Sequence, residues 1–353
     1  MLIRNSWYVA AWSEDVKHGQ LFARTIVGEP LVFLRTKSGE VAAMDDRCPH
    51  RRMPLSLGRI MEDDRLVCGY HGLAFDPRGV CVNVPGQPES ATRGICVRSY
   101  PVVERYGLIW IWMGAAEQAD PAAIVECRPL EQPGWHQTRL YRHTKANYLL
   151  LNDNLADLLH VAYLHTQSGI GNEHMGPAKT ELELTDRGYH FARETNDIPS
   201  PPIYANLSNA KKNVDRWHIV DYIAPSIFLV HTGVAEVGTG GAKSQLTYGA
   251  GRWTFYALSF ITPETENTTH YFKVLAHEWT ESSDSWRQFN QVIDEDIWAV
   301  EAQQRNIDLQ PDAVTTPILS DSAMFEMRKI IRRLEQAEDK PAGQPARAAV
   351  RLG

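Results

Sequence analysis

The first third of the chain alternates short apolar runs with turn-forming residues. The runs have the composition of β-strands and include PLVFLRT, VAAM, GLAFDPRGVCVNVPG and YGLIWIWMG. Gly, Ser, Pro and charged residues separate them, as in KSGE. Residues 1–115 are therefore predicted to form a small all-β domain. The segment AAEQADPAAIVECRPLEQPGW interrupts the pattern, which predicts a linker and a domain boundary near residue 116.

From residue 116 to residue 340 the pattern mixes helical and strand periods. A helical run covers 147–164, and a second helix is predicted from about residue 285 to residue 306. Strands are predicted in WHIVDYIAPSIFLVHTGVAEV, RWTFYALSFITPE and HYFKVLAHEW, so the domain is of the α+β class. The run SDSAMFEMRKIIRRLEQAEDK predicts a last amphipathic helix. The tail 341–353, rich in Pro, Gly and Ala, is predicted to be disordered.

The length and net charge of the chain limit which classes of protein it can belong to. The 353 residues favour two domains, because single hydrophobic cores stop growing at about 250–300 residues. A net charge of -7, from 36 basic and 43 acidic side chains, argues against a nucleic-acid partner. The N-terminus lacks the apolar core of a signal peptide, and no window approaches the roughly 18 apolar residues of a membrane span. We therefore expect a cytoplasmic protein without a membrane contact.

Two cysteines and two histidines lie in the stretch CPHRRMPLSLGRIMEDDRLVCGYH, residues 48–71. Cys48 and His50 form a C-x-H pair, and Cys68 and His71 form a C-x-x-H pair. All 5 cysteines precede residue 128, and an odd, sparse set does not look like a secreted disulfide framework. Structural zinc is one interpretation. The short pairs favour a Rieske [2Fe–2S] cluster instead, in which two thiolates hold one iron and two imidazoles hold the other.

A second constellation lies in NYLLLNDNLADLLHVAYLH, where Asn154, Asp157 and His160 are spaced three residues apart on one helical stripe. A hydrogen-bonded core network is the alternative to a functional site. His165 follows His160 by five residues, which is about 140 degrees apart on an unbroken helix, so the helix must end or bend. Two convergent histidines need one carboxylate to complete the facial triad of non-haem Fe(II) oxygenases.

The predicted helix FNQVIDEDIWAVEAQQR offers three candidates for that carboxylate: Asp294, Glu295 and Asp296. Its apolar stripe consists of Phe289, Val292, Ile293 and Val300. Asp296 falls near the centre of this stripe, whereas Asp294 lies on the side of Trp298. A carboxylate among apolar residues is costly unless it is paired or binds a metal. The pattern favours Asp296 as the third ligand, with Asp294 as the second choice.

With both constellations in place, the chain resembles the α-subunits of Rieske non-haem iron oxygenases. It is similar in particular to the group that contains vanillate O-demethylase oxygenase, toluenesulfonate methyl-monooxygenase and dicamba O-demethylase. The likeness covers nearly the whole chain through RNSWYVAAW, CPHRRMPLSLGRI, LVCGYHGLAFD, YPVVERYGLIWIWMG, NYLLLNDNLADLLHVAYLH, VDRWHI, ITPETE and EDIWAVEAQQ. The resemblance implies a Rieske domain followed by a helix-grip-like catalytic domain with a central antiparallel sheet.

The resemblance also implies a role for each site residue. Cys48, His50, Cys68 and His71 would bind the cluster, and His160, His165 and Asp296 would bind mononuclear Fe(II). Asp157 is similar to the family's bridging aspartate, which accepts hydrogen bonds from a cluster histidine of one subunit and an iron histidine of the next in a homotrimer. Asn154 resembles a family residue near the iron; a helix-interior amide that bonds backbone is the alternative.

Finally, the resemblance implies a reaction and its partners. A flavin and iron–sulfur reductase or a ferredoxin would deliver electrons from NAD(P)H, and the oxygenase would hydroxylate the methyl or methoxy carbon of a small aromatic acid with O2. A vanillate-like substrate would release formaldehyde. A ring-hydroxylating dioxygenase and a Rieske electron-transfer protein are the alternatives. The substrate pocket is expected to include Val230, His231, Ser259 and Phe289; His231 would bind a carboxylate or be a structural histidine.

Overall fold

A computed structural model of the chain describes residues 2–176, 178, 180–204, 212–247, 249–278 and 285–338, with the backbone alone for 285–288. The predicted disordered tail, 341–353, lies outside the described residues. None of the helices in these ranges combines the length and the apolar character needed to cross a membrane.

The N-terminal domain consists of three small antiparallel sheets, which confirms the predicted all-β class. The three-stranded sheet contains, in spatial order, β1 (Trp7–Trp12), β11 (Leu108–Trp112) and β10 (Val102–Arg105). The first four-stranded sheet contains β2 (Phe22–Ile26), β3 (Glu29–Arg35), β4 (Val41–Asp45) and β9 (Ser99–Tyr100). The second contains β5 (Arg59–Ile60), β6 (Leu66–Val67), β7 (Ala74–Phe75) and β8 (Cys81–Asn83). The loop with Cys68 and His71 joins β6 to β7, and the loop with Cys48 and His50 lies between β4 and β5.

A seven-stranded antiparallel sheet forms the centre of the second domain, in agreement with the predicted α+β class. In spatial order it contains β12 (His136–Thr144), β18 (Thr269–His277), β17 (Arg252–Pro263), β16 (Ile227–Glu236), β15 (Asn213–Ile223), β14 (Gly188–Pro199) and β13 (Thr180–Thr185). Strand β18 is buried at every position, because both faces of the sheet are covered here. A strand buried on both faces has a nearly continuous apolar sequence rather than a strict alternation.

The helices of the second domain whose bounds lie within the described residues are α1 (Tyr148–Ala156), α2 (His160–Tyr163), α3 (Ser285–Leu309) and α4 (Ser322–Glu338). The helical run predicted for 147–164 is therefore not continuous. Asp157, at φ -94° and ψ 120°, has an extended backbone that ends α1. A 3₁₀ turn, Leu164–Thr166, follows α2 directly. These interruptions matter for the site, because three of its side chains come from this segment.

Strand alternation divides the central sheet into two faces with different neighbours. On one face, Leu258, Phe260 and Phe272 pack against the N-terminal domain, where the rings of Trp110 and Phe260 meet edge to face at 5.4 Å. The other face packs against α1 and α3 and carries Val220, Val230, Ala257 and Leu275. The apolar stripe of α3 is buried here, as its sequence predicts. This second face holds the candidate iron site.

Candidate metal centres

Two loops with the same hydrogen-bond pattern carry the four Cys and His side chains. In each loop the cysteine N–H donates to the carbonyl of the residue five positions later, and the N–H four positions later donates to the cysteine carbonyl. The N–H groups of Cys48 and Cys68 donate to Met53 and Leu73, and those of Arg52 and Gly72 donate to Cys48 and Cys68. Such a loop needs one left-handed residue, with φ at 58° for Arg52 and 72° for Gly72. The pattern closes each loop within six residues.

The four side chains divide by burial. Cys48 and Cys68 are buried, unbridged and in contact through their thiols. His50 and His71 are exposed, and their ring centroids lie 4.5 Å apart. Burial raises the pKa of the Cys48 thiol, so its thiolate requires a bound metal.

This donor set fits a diiron cluster better than a single zinc ion. The two thiols are buried against each other, whereas the two imidazoles lie together at the surface. One tetrahedral zinc, with ligand bonds of about 2.0–2.3 Å, would draw all four together. A Rieske cluster places the thiolates and the imidazoles on different irons. The buried thiols and exposed imidazoles therefore fit a [2Fe–2S] cluster.

The end of α1 positions the first residues of the second site. The Oδ1 atom of Asp157 accepts a hydrogen bond from the N–H of Leu159 at 2.6 Å, and its Oδ2 atom accepts one from the N–H of His160 at 3.2 Å. Asp157 therefore ends one helix and caps the start of the next. Its Oδ2 atom lies 3.7 Å from Nδ1 of His160. The carboxylate thus faces the side of the imidazole that does not face the metal site.

A second bend positions His165. Its backbone, at φ -95° and ψ 23°, leaves helical conformation, and its carbonyl accepts hydrogen bonds from the N–H groups of Ile170 and Gly171. A Cβ atom at Gly171 would lie 1.7 Å from the Val161 carbonyl oxygen, so this close return requires glycine. The His160 and His165 rings consequently meet edge to face at 5.2 Å. The five-residue spacing predicted such a bend.

Helix α3 supplies the carboxylate. The Oδ1 atom of Asp296 lies 3.5 Å from Nε2 of His160 and 3.1 Å from Nε2 of His165. One ligand atom from each of the three residues lies within 4.8 Å of the others, and within the described ranges this is the one such group. Two imidazoles and one carboxylate form the donor set of non-haem Fe(II) sites. The three residues present therefore fit that metal.

Two further side chains fix the orientation of these ligands. Asn154 donates from Nδ2 to Oδ1 of Asp296 at 3.1 Å. His165 donates from Nδ1 to Oε2 of Glu295 at 2.8 Å, which leaves its Nε2 atom for the metal. Ser168 donates to the same Glu295 oxygen, also at 2.8 Å. Asn154 thus bonds a side chain of the site rather than backbone. Glu295, which the sequence offered only as a ligand candidate, orients a ligand.

Asp294, the second choice for the third ligand, is in a different environment. It accepts a hydrogen bond from Nε of Arg142 at 2.8 Å, and its side chain is 58% exposed. Successive residues on a helix point in directions about 100 degrees apart. The three acidic residues therefore face three environments: the surface, His165 and the metal site.

The acidic and basic side chains of the site shift one another's pKa values. Burial alone would raise the pKa of Asp296, but hydrogen bonds and positive charge from His160 and His165 hold it well below its usual range. Burial likewise would lower the pKa of His160, but Asp157 and Asp296 raise it to about 9. The site therefore keeps Asp296 ionised and favours positive charge beside it. A bound divalent cation would supply that positive charge.

A cavity extends from the triad along the sheet, with about 670 Å³ of empty space when open solvent is included. Its walls are mostly apolar, and they include two of the four predicted pocket residues, Val230 and Phe289. His231 and Ser259 do not line it. Neighbouring residues of a strand point to opposite faces, so Val230 and His231 cannot both face the cavity.

His231 and Ser259 are bound elsewhere. Nε2 of His231 lies 2.8 Å from Oγ1 of Thr254, and its ring stacks on Tyr256 with centroids 4.5 Å apart. Burial, followed by the charge of Arg252, lowers the pKa of His231 to about 4. Ser259 lies further along the cavity face, where it shares a hydrogen bond of 3.1 Å with the hydroxyl of Tyr271. His231 is thus a neutral structural histidine of the opposite face.

Sequence reasoning missed three polar residues that do line the cavity, His218, Thr232 and Lys273. His218 precedes Val220 by two residues in the strand segment WHIVDYI, so both side chains lie on the same face. This spacing could have indicated that His218 faces the cavity. Lys273 is 9% exposed and lies between the apolar residues Phe272 and Val274 of β18. Burial would lower its pKa, but Tyr271 and the negative charge of Asp296 raise it, so Lys273 stays charged.

The fold and the two sites together define an oxygenase of the Rieske type, with an iron–sulfur domain and a mononuclear iron domain. Comparison with known families agrees: residues 6–101 match the Rieske [2Fe-2S] domain, and residues 144–337 match the vanillate O-demethylase oxygenase C-terminal domain.

Two relatives and one solved structure show the extent of the similarity. The iron–sulfur subunit of the toluene-4-sulfonate monooxygenase system of Comamonas testosteroni is 35% identical over 96% of this chain and 99% of its own length. The vanillate O-demethylase oxygenase subunit of a Pseudomonas species is 35% identical over 97% of both chains. The crystal structure of dicamba monooxygenase bound to 3,6-dichlorosalicylic acid aligns with a TM-score of 0.85 at 32% identity, over 95% of this chain and 98% of that one.

The chain belongs to the vanillate O-demethylase oxygenase family of Rieske non-haem iron oxygenases. Its cofactors are a Rieske [2Fe–2S] cluster and mononuclear non-haem iron, and its relatives are oxygenase components of multicomponent monooxygenases.

Proposed function

We propose that this oxygenase hydroxylates the methyl or methoxy carbon of a small aromatic acid and that methoxylated substrates undergo O-demethylation. The observation that carries the proposal is the position of the His160, His165 and Asp296 triad at an apolar cavity. Relatives named for their action on vanillate, dicamba and toluene-4-sulfonate support the same substrate class.

The chain's own residues perform the positioning. Val220, Val230, Ala257, Leu275 and Phe289 form apolar walls that suit an aromatic ring and keep water from the reacting carbon. Asn154 and Glu295 hold Asp296 and His165 in fixed orientations. When bound, the iron supplies the site at which O2 is activated. The positions of the walls then decide which substrate carbon is presented.

The overall balance requires two electrons from outside the chain. An aryl methyl ether, O2, two electrons and two protons give a hydroxymethyl ether and water, and the hydroxymethyl ether then breaks its C–O bond to release formaldehyde and a phenol. We propose that an NAD(P)H-dependent flavin and iron–sulfur reductase, or a ferredoxin, supplies the electrons through the cluster.

Asp157 is the proposed link between the two metal sites. It lies beside the free side of His160, and its side chain is 30% exposed. His71 is exposed in its own loop, and no contact joins these two residues in the described part of the chain. A homotrimer in which His71 of one chain meets Asp157 of the next would complete the path. Bonding to both imidazoles would fix their tautomers and couple their protonation.

Product analysis with a surrogate reductase tests the proposal. The purified protein, loaded with both metal centres, is supplied with NADH, O2 and a panel of methoxylated, methylated and sulfonated benzoates. We expect formaldehyde and a phenol in equal amounts from at least one methoxybenzoate. A cis-dihydrodiol as the main product would instead show a ring-hydroxylating dioxygenase.

Metal analysis tests the remaining alternative. An oxygenase should contain about three irons per chain, two in the cluster and one in the triad. A protein with about two irons and no product from any substrate would be an electron-transfer protein.

A further inference from the structure

Three basic side chains lie together on the cavity face of the central sheet, beyond the residues assigned above. Arg193 on β14 pairs in register with His218 on β15, and Arg216 precedes His218 by two residues. Residues that pair directly across two strands lie on the same face of a sheet, and so do residues two apart on one strand. All three side chains therefore lie on the face that carries Val220. Exposure is 3% for Arg193, 1% for Arg216 and 6% for His218.

The two guanidinium groups have no acidic partner in the described part of the chain. Nε and Nη1 of Arg216 and Nε and Nη2 of Arg193 are buried and make no hydrogen bond. Asp157 is near enough to favour the charge of Arg193 but forms no ion pair with it. Burial and the charge of Arg216 lower the pKa of Arg193 to about 10, which leaves it charged at neutral pH. Arg216 lies over the ring of Tyr204, 5.0 Å from its centroid, but no carboxylate of the described residues pairs with either guanidinium. Buried charges without an anionic partner are costly unless a ligand neutralises them.

His218 connects this cluster to the cavity. Nη2 of Arg216 lies 3.1 Å from Nε2 of His218, and because a guanidinium can only donate, Nε2 is the acceptor. Neutral His218 therefore carries its proton on Nδ1, which has no hydrogen-bond partner within the described ranges. His218 lines the cavity, whereas the two arginines lie behind it. Burial, with the charges of Arg216 and Arg193, holds the pKa of His218 well below its usual range.

The other buried cation of the cavity, Lys273, differs in its surroundings. Its ammonium lies 5.7 Å from the ring centroid of Tyr271, and its charge interacts favourably with Asp296. Strands β18 and β15 are separated by β17 and β16, and the register places Lys273 level with Tyr222, four residues from His218. The two residues are therefore about 20 Å apart along the sheet. The uncompensated positive charge is therefore at the His218 end of the cavity.

We propose that His218 binds the anionic group of the substrate, a carboxylate or a sulfonate on the aromatic ring, and that Arg216 and Arg193 act as positioning residues behind it. His218 donates from Nδ1 to an oxygen of the anion. Arg216 fixes the tautomer that makes this donation possible, and both arginines supply the charge that favours an acid over a neutral analogue. The inference rests on the proposed function, since it specifies how that site selects aromatic acids.

Binding of matched acid and neutral ligands tests the inference. Calorimetry on the protein loaded with both metal centres, without reductase and without O2, compares 3-methoxybenzoate with 3-methoxybenzamide and toluene-4-sulfonate with toluene-4-sulfonamide. In the wild type we expect at least one acid to bind more tightly than its neutral partner. His218→Phe and Arg216→Met should weaken that acid by at least about ten-fold and the neutral ligand by less than about two-fold.

Conservative and control variants separate recognition from structural damage. His218→Asn keeps an N–H donor and should retain most of the acid preference, and Arg216→Lys keeps the charge and should fall between wild type and Arg216→Met. His231→Phe changes a histidine on the neighbouring strand and opposite face, and it should leave the preference unchanged. The cluster's absorption spectrum shows that each variant is folded; if Arg216→Met is not, His218→Phe and Arg216→Lys decide.

Three results would overturn the inference: equal weakening of acid and neutral ligands, unchanged acid binding in folded His218→Phe, or a wild type without acid preference. The carboxylate and sulfonate pairs show which acid the site selects. Product formation is not measured, so a failure of O-demethylation and a failure of acid recognition remain distinguishable.

Discussion

The two metal sites differ in how much of the chain each one needs. The proposed cluster ligands lie within 24 residues, on loops that close through their own backbone hydrogen bonds. The iron site joins the α1–α2 segment to α3, and 130 residues separate His165 from Glu295, which orients it. The first site is fixed by short-range geometry, the second by the packing of α3 on the central sheet. Changes in the iron site should therefore leave the cluster intact.

Loss of the third ligand gives the largest expected effect and tests this independence. Asp296→Ala removes the carboxylate between the two histidines, and we expect iron content to fall from about three to about two per chain. Activity should fall by at least about a thousand-fold, because the facial triad is incomplete. The cluster's low-temperature resonance signal should persist. Iron that stays in the second site of Asp296→Ala would contradict the assignment.

Asp157→Asn tests the proposed link between the sites. The amide keeps the shape and one oxygen acceptor, so both metal centres should load fully. Coupled turnover should fall by about a hundred-fold or more, because the carboxylate no longer joins two metal-bound imidazoles. Iron analysis and formaldehyde formed per NADH consumed provide the measurements. Normal coupled turnover in this variant would rule out the bridge.

The difference between the sites also explains what the sequence could predict. The spacing of Cys48, His50, Cys68 and His71 carries its own chemistry, so the cluster follows from the motif alone. Asp296 could be chosen because the apolar residues of α3 recur with helical periodicity and mark its buried face, on which Asp296 lies. Both predictions rest on local pattern.

Other features depend on contacts that local pattern does not contain. The continuous helix predicted for 147–164 is broken, because Asp157 caps the segment that follows it. Strands β12, β13 and β14 were not predicted, since their many polar residues obscure the alternation. Val230 and His231 were both placed in the pocket, although strand parity allows only one of them. The Arg193, Arg216 and His218 cluster forms only when β14 pairs with β15.

Glu295→Gln should give a smaller effect, confined to the orientation of one ligand. The amide can still accept from Nδ1 of His165 but loses the charge that fixes the imidazole tautomer. We expect iron affinity or activity to fall by about ten-fold, within the usual range for residues that orient a metal ligand. Titration of the iron-depleted protein with Fe(II), followed by activity, measures this. An unchanged affinity would show that Ser168 and Gln291, which also bond Glu295, maintain its position.

Asp294→Ala should have the smallest effect, although it removes a carboxylate two residues from the ligand. Asp294 is mostly exposed and pairs with Arg142 at the surface, and exposed ion pairs contribute about 0–1 kcal/mol to stability. We expect normal iron content, normal turnover and a loss of stability within that range, measured by denaturant unfolding. Because Asp294, Glu295 and Asp296 are consecutive, one substitution series along α3 compares a surface pair, an orienting residue and a ligand at nearly constant position. Loss of iron in Asp294→Ala would show that the register of α3 differs from the one described, and the assignments of Glu295 and Asp296 would fail with it.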